Sequence, residues 1–408
     1  MRRSPVLPRP ISSVSGALIV LYVALATSMA AGSERVEIGP ALRALAAVQR
    51  EGEGHREAIA AWQIVVQAGV DQLPEVLAGM DQADILGCNW IRAAVDTITQ
   101  RQLAQGGELP LSALEQFLAD TNHAPRARRL AYELVARVDT TARKRLIPGL
   151  LDDPSLELRR DAVAMALEEA QSLATRDPAA GTRAYQRALA AARDIDQCQA
   201  AAAGLRKLGA DVNLADHLGF LLNWELIGPF DNSGGVGYDT VYPPEQEINL
   251  SAEYRGKLGS VRWTDFTTRD DYGVVDLNEA YGRAKTNGDT GYADTPESLP
   301  KFKGTIAYAC TEFLAQEPRD VEIRLGCING HKVWLNGALV IENHVFHAGM
   351  VIDQYRGQGR LQAGRNVLLV KIAQNEQSQD WAQNWQFQLR VSDTSGAAIL
   401  SSDRKRVP

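Results

Sequence analysis

The sequence predicts a multidomain protein in which a helical region is followed by an antiparallel β-sandwich. Residues 34–219 are rich in Ala, Leu, Arg and Glu, and their apolar residues recur at helical spacing. From about residue 220, Gly, Asn, Asp, Trp and Tyr become frequent, and turns separate short alternating strands. A chain of 408 residues is also long for one ordinary core. We expect domains at 34–219 and 220–402, with a basic tail at 403–408.

The first thirty residues have the features of a secretory signal peptide. Three arginines stand within the first nine residues, and an apolar run follows at 16–27. Ser28 and Ala30 supply the small residues of a cleavage site, so we expect cleavage after Ala30 and a secreted or periplasmic location. An uncleaved membrane anchor is the alternative, although the apolar run is short for a membrane span.

Charge limits the classes of partner. The formal net charge is -7, and a balance this acidic argues against nucleic-acid binding. No later apolar stretch approaches the length of a span, so we expect no membrane contact after signal cleavage.

The four cysteines lack the spacing of a zinc site, and export would permit disulfides. If the strands that carry Cys310 and Cys327 formed a direct hairpin, these two residues would be out of register. We therefore predict buried free thiols, with disulfides as the alternative, at Cys88, Cys198, Cys310 and Cys327.

The helical region contains a weak internal repeat. An Arg-x-Ala-x core begins at Arg92, Arg129 and Arg160, at intervals of 37 and 31 residues, and an apolar helix precedes each one. This pattern is typical of HEAT-like helical hairpins that stack into a short α-solenoid. Residues 183–208 resemble one further hairpin of the tetratricopeptide kind. The alternative is an irregular helical bundle. In either case, we expect this surface to contact a protein partner or to pack on a neighbouring domain.

The strongest local signal in the β region is a hairpin. Asn336-Gly337 stands between the β-rich runs 332–335 and 338–341, and both turn residues tolerate positive φ. A second pair, Asn329-Gly330, is predicted to close the preceding hairpin.

Further strands are predicted from alternation and flanking turns. The first of them ends in a Gly-Pro turn, and residues 282–300 are expected to form a loop. The predicted strands cover 224–230, 261–266, 273–277, 305–313, 321–327, 367–372, 385–391 and 397–400.

These strands carry a specific resemblance. Its motifs are residues 321–326, the run from Lys332 to Gly337, the pattern Leu361-x-x-Gly364-x-Asn366-x-Leu368-Leu369-Val370-Lys371, and Trp385-x-Phe387-x-Leu389. Together they resemble the galactose-binding-like jelly roll, and above all the sugar-binding domain of family 2 glycoside hydrolases. With residues 224–230 and 238–245 added, the sequence resembles a group of exported bacterial proteins that place helical repeats before such a domain. The resemblance implies a jelly-roll fold with an oligosaccharide-binding ancestry.

No catalytic or metal-binding motif is found, so we predict a protein that is not an enzyme. The sequence lacks a Gly-x-Ser-x-Gly elbow, a His-Glu-x-x-His pair and a phosphate-binding loop. No cofactor is indicated. The oxygen ligands of Asp231, Asn232 and Asp239 are compatible with a structural calcium ion, but turn formation explains these residues more simply.

Trp381 is the leading candidate for carbohydrate binding because it lies in the polar, aperiodic segment 375–384. An aromatic ring on a loop can stack on a sugar while neighbouring amides bind its hydroxyls. Anchoring of Trp381 in the core is the alternative, whereas Trp334 and Trp385 fit the alternating pattern of core residues. The candidates that complete the face follow the hairpin and are Asn343, His344, His347 and Tyr355.

The expected partner of the β domain is therefore an oligosaccharide or a cell-surface glycan. The main alternative is a structural or assembly protein whose jelly roll only packs on the helices. A glycan-active enzyme is the least favoured interpretation.

Overall fold

The computed structural model describes residues 35–286 and 302–404. The predicted signal peptide and the end of the basic tail lie outside these residues. The chain divides into two compact units, Met1–Arg143 and Lys144–Pro408. Within the described residues, no helix is both long enough and apolar enough to cross a membrane.

The first unit is helical. Asp84 begins the longest of its helices by accepting hydrogen bonds from the backbone N–H groups of Leu86 and Gly87, at 2.8 and 2.9 Å. A Cβ on Gly87 would lie 2.9 Å from the Cα of Ala46, so this glycine lets two helices approach closely. The helices are α1 Gly39–Ala46, α2 His55–Val65, α3 Leu73–Ala78, α4 Ile85–Ala104, α5 Leu111–Ala119, α6 Pro125–Val138 and α7 Ala142–Leu146, which crosses into the second unit.

The second unit opens with four more helices. Asp177 caps one of them by accepting from the N–H of Ala180 at 3.0 Å, and Pro178 occupies its first position. The helices are α8 Leu156–Ala174, α9 Pro178–Ala191, α10 Ile195–Lys207 and α11 Leu214–Leu218. The stacking of the helical region into HEAT-like hairpins stays a prediction.

The rest of the second unit consists mainly of antiparallel sheets, which confirms the predicted order of helices followed by β structure. The strands are β1 Asn223–Asp231, β2 Glu253–Gly256, β3 Gly259–Arg262, β4 Thr264–Thr267, β5 Val275–Asp276, β6 Thr305–Ala315, β7 Arg319–Cys327, β8 Gly330–Leu335, β9 Ala338–Asn343, β10 Tyr355–Leu361, β11 Gly364–Gln374 and β12 Gln386–Ser392. Two short helices, α12 Pro243–Gln246 and α13 Leu277–Thr286, lie between strands.

Two main sheets share one core. The six-stranded sheet has the order β4-β1-β6-β11-β8-β9, and the four-stranded sheet has the order β10-β7-β12-β5; β2 and β3 pair separately. Buried residues of both main sheets form a single cluster, which includes Trp224 and Phe313 from one sheet and Leu325 and Phe387 from the other. Trp385 belongs to this cluster and is fully buried, as predicted. Trp334 is only half-buried and packs in a second cluster, outside the shared core.

A third cluster joins helices α8–α11 to the start of the β region. Phe220 and Leu222 are buried in it beside Val163, Cys198 and Leu218. The last helix before the strands, α11, ends at Leu218 and β1 starts at Asn223, on either side of the expected boundary at 219/220. The compact units nevertheless divide between Arg143 and Lys144, so these helices share a unit with the sheets.

The predicted Asn336-Gly337 hairpin is confirmed. Asn336 has φ 51° and Gly337 has φ 81°, and β8 pairs with β9 directly across this turn. The prediction for Asn329-Gly330 is wrong. These residues connect β7 of the four-stranded sheet to β8 of the six-stranded sheet, because successive strands here alternate between sheets rather than pairing.

The prediction that a turn at Gly228-Pro229 ends the first strand is also wrong. β1 continues through both residues to Asp231, and the irregularity is taken up as a register shift against β6 between Ile227 and Phe230. Proline is tolerated in a strand at such irregularities because its missing N–H is not needed there.

Two further expectations need correction. Residues 282–286 belong to α13 instead of a loop, whereas 287–300 lie outside the described residues. The expected strand 397–400 contributes only an isolated bridge between Ser392 and Ala398.

The four cysteines are buried free thiols, as predicted. Cys310 on β6 and Cys327 on β7 lie in different sheets, so the direct hairpin considered from sequence does not form.

Candidate functional site

Five rings form a continuous line at one end of the two main sheets, and we call them the aromatic row: Tyr238, His344, Phe346, His347 and Trp381. Tyr238 and His344 stack in parallel, with ring centroids 3.9 Å apart. His344 meets Phe346 at 5.4 Å, Phe346 meets His347 at 6.2 Å, and His347 meets Trp381 edge to face at 5.2 Å. The row is therefore built by three segments that are distant in sequence.

Tyr238 is the buried end of the row. Its hydroxyl donates to the carbonyl of His331 at 3.3 Å, and the ammonium of Lys332 lies 4.5 Å from its ring centroid. Burial, with smaller contributions from Glu342 and Asp239, raises the pKa of Tyr238 to about 12. This residue is therefore a neutral platform for His344 at physiological pH.

The segment that carries Tyr238 is anchored on the outer face of the six-stranded sheet. The fully buried Lys371 donates to the carbonyl of Thr240 and to Glu245, both at 2.8 Å, and Tyr308 donates to the same carboxylate. Burial of the ammonium lowers the pKa of Lys371, with Glu245 acting in the opposite direction. A buried lysine with a carboxylate partner holds the segment firmly, because separating the two would leave a charge uncompensated.

His347 is positioned by its backbone and by one amide. It adopts φ 58°, a left-handed conformation that is uncommon for residues other than glycine. Its Nε2 lies 3.0 Å from the side-chain oxygen of Asn375, whose amide nitrogen donates to Gln377 at 2.9 Å. The ring is thereby fixed between Phe346 and Trp381.

Trp381 is exposed while the loop around it is anchored. Its side chain is 62% exposed, whereas the next residue, Ala382, is fully buried. The carbonyl of Ala382 accepts from Lys303 Nζ at 2.6 Å and from Gln374 Nε2 at 3.3 Å. Anchoring therefore comes from the backbone of Ala382 and from Trp385, and the ring of Trp381 is left to solvent.

The structure brings three of the five predicted candidates together: His344, His347 and Trp381. Asn343 ends β9, opposite the buried His331. Tyr355 does not lie in the loop after the hairpin, as its place in the sequence suggested. It begins β10, and its ring lies 4.3 Å from that of His331, outside the aromatic row.

The candidates for a structural calcium ion have protein partners. Asp231 accepts from the backbone N–H of Ser233 and lies 3.1 Å from Lys257, and Asn232 donates to the carbonyl of Gln374 at 3.0 Å. Asp239 is exposed, 3.7 Å from Lys332. In residues 35–286 and 302–404, no group of three or more His, Cys, Asp or Glu residues could hold a metal ion.

Sequence analysis missed Tyr238, Phe346 and Asn375 as members of the site. Phe346 stands between His344 and His347 in the sequence, so its proximity was a usable signal. Asn375 begins the segment 375–384 that also carries Trp381, so it too could have been found. Tyr238 comes from a distant segment, and only the fold brings it to this end.

Comparisons with known proteins identify no family. No family model matches the sequence, and no curated protein matches it. Similar solved structures include a β-glucosidase from Kluyveromyces marxianus in complex with glucose (13% identity, TM-score 0.24), covering 42% of this chain and 16% of that chain.

Two other structures are comparably distant. An anti-sigma factor domain-containing protein from Clostridium clariflavum is 11% identical with TM-score 0.24, over 46% of this chain and 49% of that one. An α-L-rhamnosidase from Aspergillus terreus is 14% identical with TM-score 0.19, over 47% and 25%. The chain thus spans less than half of each of these proteins. The TM-scores are low, so no function follows from these similarities.

Proposed function

We propose that the aromatic row binds carbohydrate and that the protein is a non-catalytic binding protein. The observation that carries this proposal is the 62% exposure of Trp381 on an anchored loop, in edge contact with His347. An exposed aromatic ring offers a sugar an apolar face to stack on, and the anchored backbone beside Trp381 reduces the entropic cost of binding.

A sugar site needs hydrogen-bonding groups as well as an aromatic surface, and polar residues beside the aromatic row supply them. Asn375 lies against His347 and is bonded to the exposed Gln377, and the exposed Gln379 and Asp380 precede Trp381. Amides and carboxylates of this kind bind sugar hydroxyls with directional hydrogen bonds. The ligand class that fits is an oligosaccharide, because an exposed aromatic ring and hydroxyl-binding groups lie close together on this surface.

The proposal also covers the fold of the sheets, the role of the helical region and the location of the protein. We infer that the two main sheets form the galactose-binding-like jelly roll, that the N-terminal helices form a solenoid contacting a protein partner, and that the chain is exported. The motifs around Lys332–Gly337 and Leu361–Lys371 support the first inference, and the apolar run at 16–27 supports the last.

A structural or assembly role is the second candidate, favoured by one observation. Phe220 and Leu222 are buried against helices α8–α11, so the β region already uses part of its surface to pack on helices. In that case the aromatic row would carry no ligand.

A glycan array probed with the full chain separates these functions. Carbohydrate binding predicts reproducible binding to a group of related glycans that is lost with Trp381→Ala. The matched control is Val351→Ala. Val351 is also an exposed apolar residue, at 63%, but it lies in the β9–β10 connection and outside the aromatic row. A folded protein that binds no glycan would leave the structural role as the better account.

A further inference from the structure

A cavity of about 220 Å³ lies between the α9–α10 loop and the four-stranded sheet, within the second unit and apart from the aromatic row. Its charged lining includes Arg193 from the loop, with Arg324 and Arg356 from the sheet. Leu156, Ile195 and Ile352 provide apolar walls, while Thr394 and Ser395 add hydroxyl groups. This volume is below that of pockets for drug-sized ligands, so the cavity suits a small molecule.

The sheet presents three arginines in one row. Arg356 on β10 stands opposite Arg324 on β7, which stands opposite Arg390 on β12. Like charges directly opposite one another across strands are destabilising unless an anion lies among them. Asp353 supplies one carboxylate, and it binds both Arg324 and Arg390, at 2.8 and 2.6 Å. Glu322 supplies a second one, 2.7 Å from Arg324, so Arg356 is the arginine of this row that has no carboxylate partner among the described residues.

Two guanidinium groups at the cavity remain without a carboxylate. Among the described residues, neither Arg193 nor Arg356 forms an ion pair. Arg193 donates through Nη1 to the carbonyls of Ala190 and Ala192, and its buried Nε has no hydrogen-bond partner. Burial, together with the nearby charge of Arg159, lowers the pKa of Arg193.

The acids close to the cavity are committed elsewhere. Asp194 lies 3.1 Å from Arg160, and Asp353 is shared between its two arginines. Asp393 accepts from the backbone N–H and hydroxyl of Ser395 and from the N–H of Ala397. The donors of Arg193 and Arg356 are therefore left for a partner from solution.

We propose that this cavity binds the carboxylate or phosphate group of a small organic anion, held between Arg193 and Arg356. Guanidinium groups bind such oxyanions through paired, charge-assisted hydrogen bonds. The apolar walls accommodate the carbon part of the ligand, and the hydroxyl of Thr394 adds a further hydrogen-bonding group. This site is independent of the aromatic row and does not require the protein to bind a glycan.

Isothermal titration calorimetry of the full chain at low ionic strength tests the site with three probes: inorganic phosphate, glucuronate and glucose. Saturable binding of phosphate alone points to a phosphate-bearing ligand, and binding of glucuronate alone points to a carboxylate; either result supports the site. Glucose has no anionic group and is expected not to bind here. Absence of saturable binding by both anions overturns the proposal.

Substitutions locate the binding. Arg193→Gln and Arg356→Gln are each expected to weaken anion binding about tenfold or more, as for the loss of a charge-assisted hydrogen bond. Arg360→Gln is the matched control, since Arg360 lies on the same strand and pairs with the exposed Asp320. Arg356 is exposed, so its variant is expected to melt as the wild type does even if Arg193→Gln is less stable. Unchanged affinity in Arg356→Gln, or an equal loss in Arg360→Gln, contradicts the assignment.

Discussion

Asp353 binds Arg390 through both of its carboxylate oxygens. Arg390 donates from Nε to Oδ1 at 2.7 Å and from Nη2 to Oδ2 at 2.6 Å, and Arg324 shares Oδ2. Asp353 adopts φ 61°, and both arginines are almost fully buried. The Asp353 carboxylate is therefore shared by two buried charges of the four-stranded sheet, and Glu322 on β7 also pairs with Arg324, at 2.7 Å.

Asp353→Asn is expected to lower the free energy of unfolding by about 3–5 kcal/mol, because it leaves the buried Arg390 without a carboxylate partner and Arg324 with Glu322 alone. Chemical denaturation measures this change. Asp320→Asn is the control: its partner Arg360 is exposed, so the expected cost is about 0–1 kcal/mol. Equal stability of the Asp353 variant and the wild type would show that other groups neutralise these arginines.

The same residue gives a prediction for acid. Burial acts to raise the pKa of the Asp353 carboxyl, but hydrogen bonds and charges from Arg390 and Arg324 outweigh it and hold the pKa below its usual range. The stability it contributes is therefore present above the usual aspartate pKa of about 4 and is lost as pH falls below it.

A second carboxylate predicts the opposite dependence near neutral pH. Glu225 on β1 stands opposite Asp265 on β4. Burial, with the hydrogen bond and charge of Asp265, raises the pKa of Glu225 to about 7. The folded state therefore holds a proton that the unfolded state has released, and stability falls as pH rises from the usual glutamate value toward neutrality.

Denaturation of the wild type and of Glu225→Gln from about pH 5 to about pH 8 measures this effect. The wild type is expected to lose more stability than the variant over this range. Glu312→Gln serves as the control, because Glu312 instead pairs with the exposed Arg365. An identical pH dependence in wild type and Glu225→Gln would refute the raised pKa.

The turn of the β8–β9 hairpin makes a local prediction. Gly337 has φ 81°, and a Cβ built there meets no atom within 4 Å, so any cost of substitution comes from the backbone. Gly337→Val is expected to destabilise the protein by about 1–3 kcal/mol. Gly337→Asn, which tolerates this conformation better, is expected to cost less. Thermal melts of the two variants are the measurement, and equal melting temperatures would contradict the assigned strain.

The packing of helices α8–α11 predicts how the chain can be divided. A fragment that begins at Lys144 keeps the helix–strand cluster intact and is expected to be soluble and folded. A fragment that begins at Leu218 exposes Phe220 and Leu222 and is expected to aggregate. Size-exclusion chromatography with circular dichroism compares them. A monomeric, cooperatively folded Leu218 fragment would instead support the boundary at 219/220 expected from sequence.

Local signals in the sequence were sufficient for some elements. Asn336-Gly337 indicates a turn, and the alternation at Trp385, Phe387 and Leu389 indicates a buried strand face. Both could therefore be predicted without knowing which distant residues lie nearby. Asn329-Gly330 carries the same dipeptide, yet it connects two sheets, because strand pairing is decided by the whole set of strands.

In the candidate site, too, some features follow from local sequence and others depend on the fold. The position of Trp381 in a polar, aperiodic segment indicated a loop, and its ring is exposed. Tyr355 was grouped with the site because it follows the hairpin closely in sequence, but β10 carries it into the four-stranded sheet. Tyr238 lies about a hundred residues before His344, so no local pattern could relate them.

Carbohydrate binding by the aromatic row is tested most directly by calorimetric titration of the strongest array ligand into wild type, Trp381→Ala and Val351→Ala, with thermal melts of all three. We expect Trp381→Ala to weaken binding by about 1–3 kcal/mol, as for the loss of a central interface aromatic, with little change in melting temperature. Val351→Ala is expected to bind as the wild type does. A folded Trp381→Ala variant with wild-type affinity would contradict the proposed site.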